Sequence, residues 1–517
     1  MEYKTPARKL AVFFKKSRDK WKQKYQKSQN KIKVLTNKLY YQQQKQQKQE
    51  QKNQALKAEN QALKVLFANM EQQYEKSKIR IQKAKNMLEK TKLFEQKIAH
   101  HHYSVGLIQM LLQLVFAGAN HLRTSVRSMG IVRNLLPDID TDVSWYSVRL
   151  WVMRLGYHEL TRPKEKANDW VWIIDHSIQL GEEKCLVIVG LRLSEHGNKQ
   201  RPLQHQDLTV ISLDVVRQSN GMVVCRQLEQ AVEKTGVPRA IIHDNGSELK
   251  KGVMQFKMLH PETASLYDIK HKIALEIKHR VEKDMQWEAF NQIAGTIDKR
   301  LQQTAYAHLA PPKLRRKARY MNLDTRVEWG QRMLKLMDEA DEKDKKVYES
   351  RIGEVKNYRE DIQRWCEMLA MTGKTESFSR HNWLYEGCHI KLSHELDSLS
   401  IKNSDNQLLK NDLETFIEQQ SACCRQKEYL PNSSEVLESV FGRQKYLEGE
   451  HSKRGFSGLI LGIGAIVSDL SATIIKKAME TVPVKKVIKW HEEVLEKTLQ
   501  AHQLDISFAG KTEQKPT

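Results

Sequence analysis

Residues 169–179 read DWVWIIDHSIQ and residues 238–248 read PRAIIHDNGSE. Both are short runs of β-branched and aromatic residues that deliver an aspartate, Asp175 or Asp244, and both predict buried strands. A carboxylate directly after Trp172-Ile173-Ile174 is costly to bury without a partner or a task, which makes Asp175 the first candidate functional residue. Asp244 has a second explanation, because Asp244-Asn245-Gly246 is also a turn sequence. Between them lie two more strand-like segments, Lys184–Leu193 (KCLVIVGLRL) and Asp207–Val216 (DLTVISLDVV). A hairpin-like turn, Leu180-Gly181-Glu182-Glu183, joins the first pair. Gly221–Gly236 reads as a helix with Val224, Leu228, Ala231 and Val232 on one face and Gly236 as its C-cap. The order is β-β-β-α-β. If strands one and four are neighbours, Asp175 and Asp244 converge at one edge of the sheet.

Upstream of this core the chain is strongly basic. The protein has 517 residues and a net charge of +23, and residues 1–100 hold 26 Lys/Arg against 8 Asp/Glu, so they carry +18 of it. Such an arm suits a polyanion, with nucleic acid ahead of an anionic membrane surface because no Trp/Leu face runs along it. Residues 15–98 lack Pro and Gly. A heptad places Leu56, Leu63, Met70 and Ala84 on one seam position and Asn60, Phe67, Tyr74, Ile81 and Leu88 on the other. This predicts a coiled coil, with the Gln42–Gln51 tract frayed or disordered. Residues 1–103 form this arm, ending in His100-His101-His102, which reads as a linker rather than a metal site.

Residues 104–164 read as three helices: Val105–Phe116 capped by Ser104, about Asn120–Leu136 stopped by Pro137, and Ser144–Leu155 ended by Gly156, after an Asp138–Asp142 turn. Val148, Trp151, Val152 and Leu155 fall at core spacing on the last, with Arg149 and Arg154 expected to point outward. The layout predicts a helix-turn-helix domain whose arginines contact DNA. The alternative is a helical spacer with solvated arginines.

Downstream, 193 residues separate Asp244 from Glu438. The stretch 281–428 has helical composition and reads as an insertion. Within it, Trp383–Leu392 (WLYEGCHIKL) reads as a core aromatic cluster before a base-stacking one. Residues 429–455 then give a helix, NSSEVLESVFGRQK (432–445), carrying Glu435 and Glu438. Glu435 sits three residues after Asn432, where a capping box places an acid, so Glu438 is the better functional candidate. Residues 456–517 form a C-terminal helical region.

The strand order and its two aspartates resemble the ribonuclease-H-like catalytic core of DDE transposases and retroviral integrases, over about residues 165–450. Asp244-Asn245-Gly246-Ser247-Glu248-Leu249 is similar to the segment around the second catalytic aspartate of that superfamily, and residues 165–280 would hold this first part of the core. Glu438 followed seven residues on by Lys445 is similar to the glutamate-helix signature of bacterial insertion-sequence transposases, although Pro431 and Ser434 stand where its fullest form has Tyr and Arg. The resemblance implies an α/β fold with a mixed sheet interrupted by a mainly helical insertion. It also implies catalysis by Asp175, Asp244 and Glu438.

Two Mg²⁺ or Mn²⁺ ions about 3.5–4 Å apart suit such a carboxylate set. Asp175 would bridge both, Asp244 and Glu438 would hold one each, and Lys445 would hold a DNA phosphate. Asp268 and His271 are candidates for supporting roles. His176, His243 and Glu248 adjoin the aspartates and would shape the site. The expected protein is a transposase, at least dimeric, that binds the terminal inverted repeats of its element on double-stranded DNA, exposes a 3′-hydroxyl and joins it to target DNA. A nuclease that never joins, and a non-catalytic DNA-binding regulator, are the alternatives. Six cysteines without a CxxC pair give no zinc or disulfide framework, and the charged N-terminus and a longest apolar run of only Phe456–Val467 predict a bacterial cytoplasmic, nucleoid-associated protein rather than a membrane one.

Overall fold

A computed structural model describes residues 7–91, 96–99, 101–135, 142–178, 183–197, 201–314, 320, 322–449 and 456–495. The expected turns at 138–142 and 180–183 and the last part of the C-terminal region fall wholly or largely outside these residues. The chain divides into two compact units, 1–92 and 93–517.

The first unit is a single helix, α1 (Ala7–Thr91), of 85 residues. It continues through Gln42–Gln51, where fraying was expected, because Gln and Lys are good helix formers and nothing there breaks the backbone pattern. Leu63, Phe67, Met70 and Tyr74, on the predicted heptad seam, are each more than half exposed.

The second unit opens with α2 (Val105–Phe116), α3 (Leu122–Leu135) and α4 (Trp145–Thr161). Ser104 and Ser144 cap α2 and α4, their hydroxyls accepting from Leu107 N (3.3 Å) and Ser147 N (3.1 Å). α4 does not stop at Gly156. A Cβ there would collide with the Leu461 carbonyl, and one on Gly464 would lie 2.7 Å from Gly156 O. The glycine is there for close backbone approach, not for termination.

Five strands follow: β1 (Trp170–Ile178), β2 (Lys184–Arg192), β3 (Thr209–Val216), β4 (Ala240–His243) and β5 (Ala264–Tyr267). One helical turn, α5 (Leu193–His196), follows β2. α6 (Gly221–Thr235) connects β3 to β4, and α7 (Ser247–Leu259) connects β4 to β5. The sheet order is β3-β2-β1-β4-β5. β1 is antiparallel to β2 and β2 to β3, whereas β1, β4 and β5 run parallel. β5 went unread in the sequence because Ala264–Tyr267 (ASLY) has none of the β-branched residues that mark the equally short β4 (AIIH).

Alternation along β1 separates two cores. Trp170, Trp172 and Ile174 face α6 and α7, packing with Val224, Leu228, Val253 and Phe256. Val171 and Ile173 face the larger core, shared with α4 and the C-terminal helices.

Helices fill the chain from β5 to residue 421: α8 (Ile269–Val281), α9 (Met285–Leu301), α10 (Leu323–Glu339), α11 (Glu342–Ile352), α12 (Arg359–Asn382), α13 (Cys388–Asp397) and α14 (Ser404–Ser421). Their centre is aromatic: the Phe290 ring lies 5.4 Å from Trp365, 5.4 Å from Tyr358 and 5.8 Å from Trp329. Trp383 and Leu384 are buried, and the Trp383 indole N–H donates to Arg201 O at 3.2 Å, so this aromatic segment belongs to the core. α15 (Glu435–Glu448) returns to the sheet against β1. α16 (Gly462–Val467), α17 (Ala472–Thr481) and α18 (Val484–Val494) then pack on α4. The apolar run 456–467 is therefore interior, and no described helix is long and apolar enough to cross a membrane.

Candidate active site

The register of β1 and β4 places Ile174 opposite His243, so the next residues, Asp175 and Asp244, sit side by side where the two strands end their pairing. By alternation Asp175 shares the face of Val171 and Ile173, the face on which α15 packs. Glu438 lies in the first turn of α15. The Asp175 carboxyl is pushed up to about 7, first by burial and then by the negative charges of Asp244 and, less strongly, Glu438. The His176 N–H, donating to its Oδ1 at 2.7 Å, and the His271 ring pull the other way. Asp244, at the end of β4, and Glu438, on α15, thus both act on Asp175. The turn reading of Asp244 holds as well, since its Oδ1 accepts from Gly246 N at 3.1 Å.

Asp268, at the end of β5 and fully buried, fixes this arrangement. Its Oδ1 accepts from Ser434 N (3.0 Å) and Lys270 N (3.4 Å), and its Oδ2 from His271 N (3.3 Å). His271 Nδ1 lies 2.5 Å from the same Oδ2. Burial would raise this carboxyl, but the His271 hydrogen bond and charge and the Ser434 N–H outweigh it and hold it below the ordinary range. With Ile269 N donating to Asn432 O (3.0 Å), the starts of α8 and α15 are tied together, which sets where Glu438 stands.

Ligand atoms of Asp268, His271 and Glu438 lie within 4.8 Å of one another. A carboxylate holding one imidazole nitrogen is the usual support of a histidine ligand. A buried carboxylate beside further carboxylates, as Asp175 is, fits a hard divalent cation, and His271 would add one nitrogen donor. Asp268 and His271 were legible only as a pair at (i, i+3) beside an apolar stretch; their closeness to the aspartates needed β5.

Glu435 has a different role from the one its spacing suggested. Ser434, not Asn432, precedes the first residue of α15, and the Asn432 side-chain amide has no hydrogen-bond partner among the described residues. Glu435 instead pairs with Lys270 Nζ (3.0 Å) and Arg380 Nε (2.9 Å). Burial opposes its ionisation, yet these two cations hold the carboxyl below its ordinary value. The ion pairs link α8, α12 and α15, and nothing in the sequence announced Lys270 or Arg380.

His176 and Glu248 lie toward α6 and α7, on the other face of the sheet. His176 Nε2 meets Ser219 Oγ at 3.1 Å, and Lys184 donates to Glu248 at 2.7 Å. His243 spans Asp244 O (2.5 Å) and Ser265 Oγ (3.0 Å). Lys445 is exposed on α15, two turns beyond Glu438.

Of the two arginines expected to contact DNA, Arg154 is a correction. Arg154 is 6% exposed and points inward. Its Nε donates to Val482 O (2.5 Å), one Nη donates to Met479 O, and the other meets His101 Nε2 at 2.7 Å. Arg149 is half-buried; burial lowers its guanidinium, and the Tyr146 and Glu448 charges partly offset that. α2, α3, α16, α17 and α18 pack against α4, which buries Val148, Trp151, Val152, Met153 and Leu155 and leaves Tyr146 exposed. Arg154 was expected to point outward because interior and exposed arginines look alike in a sequence.

No protein-family model and no curated protein matches the chain. Among solved structures it is similar to one described as the Drosophila P element transposase strand transfer complex, at 12% identity, over 78% of this chain and 100% of that one, with a TM-score of 0.39.

Proposed function

We propose that the chain is a DNA-strand cleaving and joining enzyme of the DDE transposase kind, built on a ribonuclease-H-like core. The observation that carries the reading is the adjacency of Asp175 and Asp244 at the ends of two parallel strands, with Glu438 near enough to act on Asp175, whose carboxyl burial first, and then these two acids, push up to about 7. The order β3-β2-β1-β4-β5, antiparallel then parallel, supports the core assignment. The Glu438–Lys445 spacing is all that supports an insertion-sequence affiliation.

Asp175, Asp244 and Glu438 would hold Mg²⁺ or Mn²⁺, two ions in the full reading, with His271 as an added donor oriented by Asp268. Bound there, the metal would lower the pKa of an attacking water or 3′-hydroxyl and stabilise charge on the phosphate. The residues do the rest. Asp268 and the Lys270–Glu435–Arg380 network keep α15 seated, so that Glu438 is preorganised. Lys445 lies along α15 where it can take a phosphate. Arm cations would supply salt-dependent, sequence-independent DNA affinity. The exposed seam of Leu63, Phe67, Met70 and Tyr74 would pair with a second copy.

The test is strand cleavage and joining with a precut duplex end, with and without Mg²⁺ or Mn²⁺. Glu438→Gln is expected to abolish both steps and leave DNA binding intact. Full activity in Glu438→Gln with loss in Glu435→Gln would assign the third carboxylate to Glu435. Cleavage without joining would reduce the protein to a nuclease. Removing residues 1–92 is expected to weaken binding and flatten its salt dependence; unchanged salt slopes would take DNA binding away from the arm.

A further inference from the structure

At the β3 edge of the sheet, with β2 intervening between it and Asp175, lies a cleft of about 900 Å³. Its walls are the segment after α4, the outer edge of β3, one face of α6 and the end of α18. None of these residues belongs to the carboxylate cluster.

Three features define what the cleft can take. Arg162, Lys164, Lys166, Arg226 and Lys234 line it, facing three carboxylates, Asp214, Glu233 and Glu493. Glu493 is drawn to Lys489 (3.4 Å), Arg162 is paired with Glu159 (2.6 Å), and Asp214 is pushed up by burial, so Lys164, Lys166, Arg226 and Lys234 leave the balance cationic. Lys164 Nζ donates to the carbonyls of Glu159 (2.6 Å), Leu160 (2.9 Å) and Arg162 (2.8 Å). Even so, burial, the Arg162 charge and a smaller push from Lys234 bring it down to about 7, against the pull of Glu159. An anion in the cleft would relieve that repulsion.

The second feature is Gln227, 4% exposed on the α6 wall, whose Oε1 and Nε2 both lack a hydrogen-bond partner among the described residues. Leaving such an amide unsatisfied is costly, and a ligand offering one donor and one acceptor would recover that cost. The third is the half-buried Trp490, an indole that can stack against a planar ring.

We infer that this cleft is a nucleotide site: phosphate against the lysines and arginines, base against Trp490, and base edge read by the Gln227 amide. The nucleotide is either free or one unit of a nucleic-acid strand. The site is independent of phosphoryl transfer at the carboxylates, and its test reads binding alone.

Full-length protein would be titrated calorimetrically with adenosine monophosphate and with inorganic phosphate. Separately, it would be photocrosslinked to a 5-iodouracil-containing oligonucleotide, with the crosslinked peptides mapped by mass spectrometry. The variants are the double charge reversal Lys166→Glu/Arg226→Glu, both at exposed positions, and Gln227→Leu. For a free nucleotide, saturable binding should weaken at least tenfold on charge reversal, with an unchanged melting temperature, while Gln227→Leu weakens adenosine monophosphate several-fold and leaves phosphate untouched. For a strand, adenosine monophosphate gives no saturable heat, and the oligonucleotide crosslinks in the peptide holding Trp490, a crosslink lost on charge reversal. Binding or crosslinking that survives charge reversal, or the absence of both, would overturn the inference. Equal loss of phosphate and nucleotide affinity in Gln227→Leu would remove the base-reading part.

Discussion

Asp175 in β1 and Arg154 in α4 are both charged side chains set among apolar neighbours, yet they stand in opposite relations to the fold. Arg154 is matched: two carbonyls and an imidazole meet its guanidinium, and the C-terminal helices are pinned through it. Asp175 is mismatched: burial and the Asp244 and Glu438 carboxylates oppose its ionisation more strongly than the His176 N–H and the His271 ring favour it, and the fold holds it at a cost. A buried charge that neighbours satisfy is structural; one that neighbours oppose points to a ligand that is still to arrive.

Replacing the two should therefore move activity and stability in opposite directions. Asp175→Asn is expected to lower metal-dependent cleavage by on the order of a thousandfold or more. The same change should stabilise the metal-free protein at pH 8. A carboxyl whose folded pKa is raised to about 7 contributes stability that is complete below its unfolded value near 4 and is lost as pH rises toward 7. Asparagine escapes that loss, worth up to about 4 kcal/mol at pH 8 and nothing at pH 4. Denaturant melts at the two pH values check it, and equal melts at pH 8 would show that the carboxylate is not opposed.

Arg154→Met should do the reverse, destabilising by roughly 2–4 kcal/mol through the carbonyls it leaves bare, while folded protein keeps its DNA affinity. A variant that melts normally but loses DNA would restore the groove-reading role of α4. Glu448→Gln is a smaller test. The buried Glu448 carboxyl, raised to about 7 chiefly by burial, accepts from Ser457 Oγ at 3.1 Å. Its stability contribution also disappears between pH 4.5 and 7, so the glutamine variant should gain about 1–3 kcal/mol at pH 8 with unaltered activity. Gly156→Ala should cost about 1–3 kcal/mol, because Leu461 must retreat from the new methyl.

The strands and helices of the sheet region were legible because period-2 runs of Trp, Val and Ile leave little choice of face, and because an aspartate inside such a run has few uses. Ser104 and Ser144 marked their helix starts for an equally local reason. What could not be read was non-local. β5 has no β-branched residue to mark it, Asp268 matters through Ser434 N far along the chain, and Glu435 through Arg380 on a different helix. The inward turn of Arg154 depends on Met479 and Val482, residues that no window around α4 contains. A weak clue was present: α4 carries apolar residues on more of its circumference than a surface helix needs.

The seam between α4 and α16, with Gly464 closing on Gly156, also bears on the order in which the protein is made. Gln109 Nε2 reaches Leu470 O at 2.8 Å across 361 residues of chain, and α16 lies against β3. While the polypeptide is still emerging, one face of a finished sheet waits for a cover synthesised hundreds of residues later. The carboxylates of β1 and β4 likewise wait for Glu438. A nascent chain therefore carries an uncovered apolar face and no complete acidic cluster, and its assembly belongs to the moments after synthesis, when cover and third carboxylate arrive together.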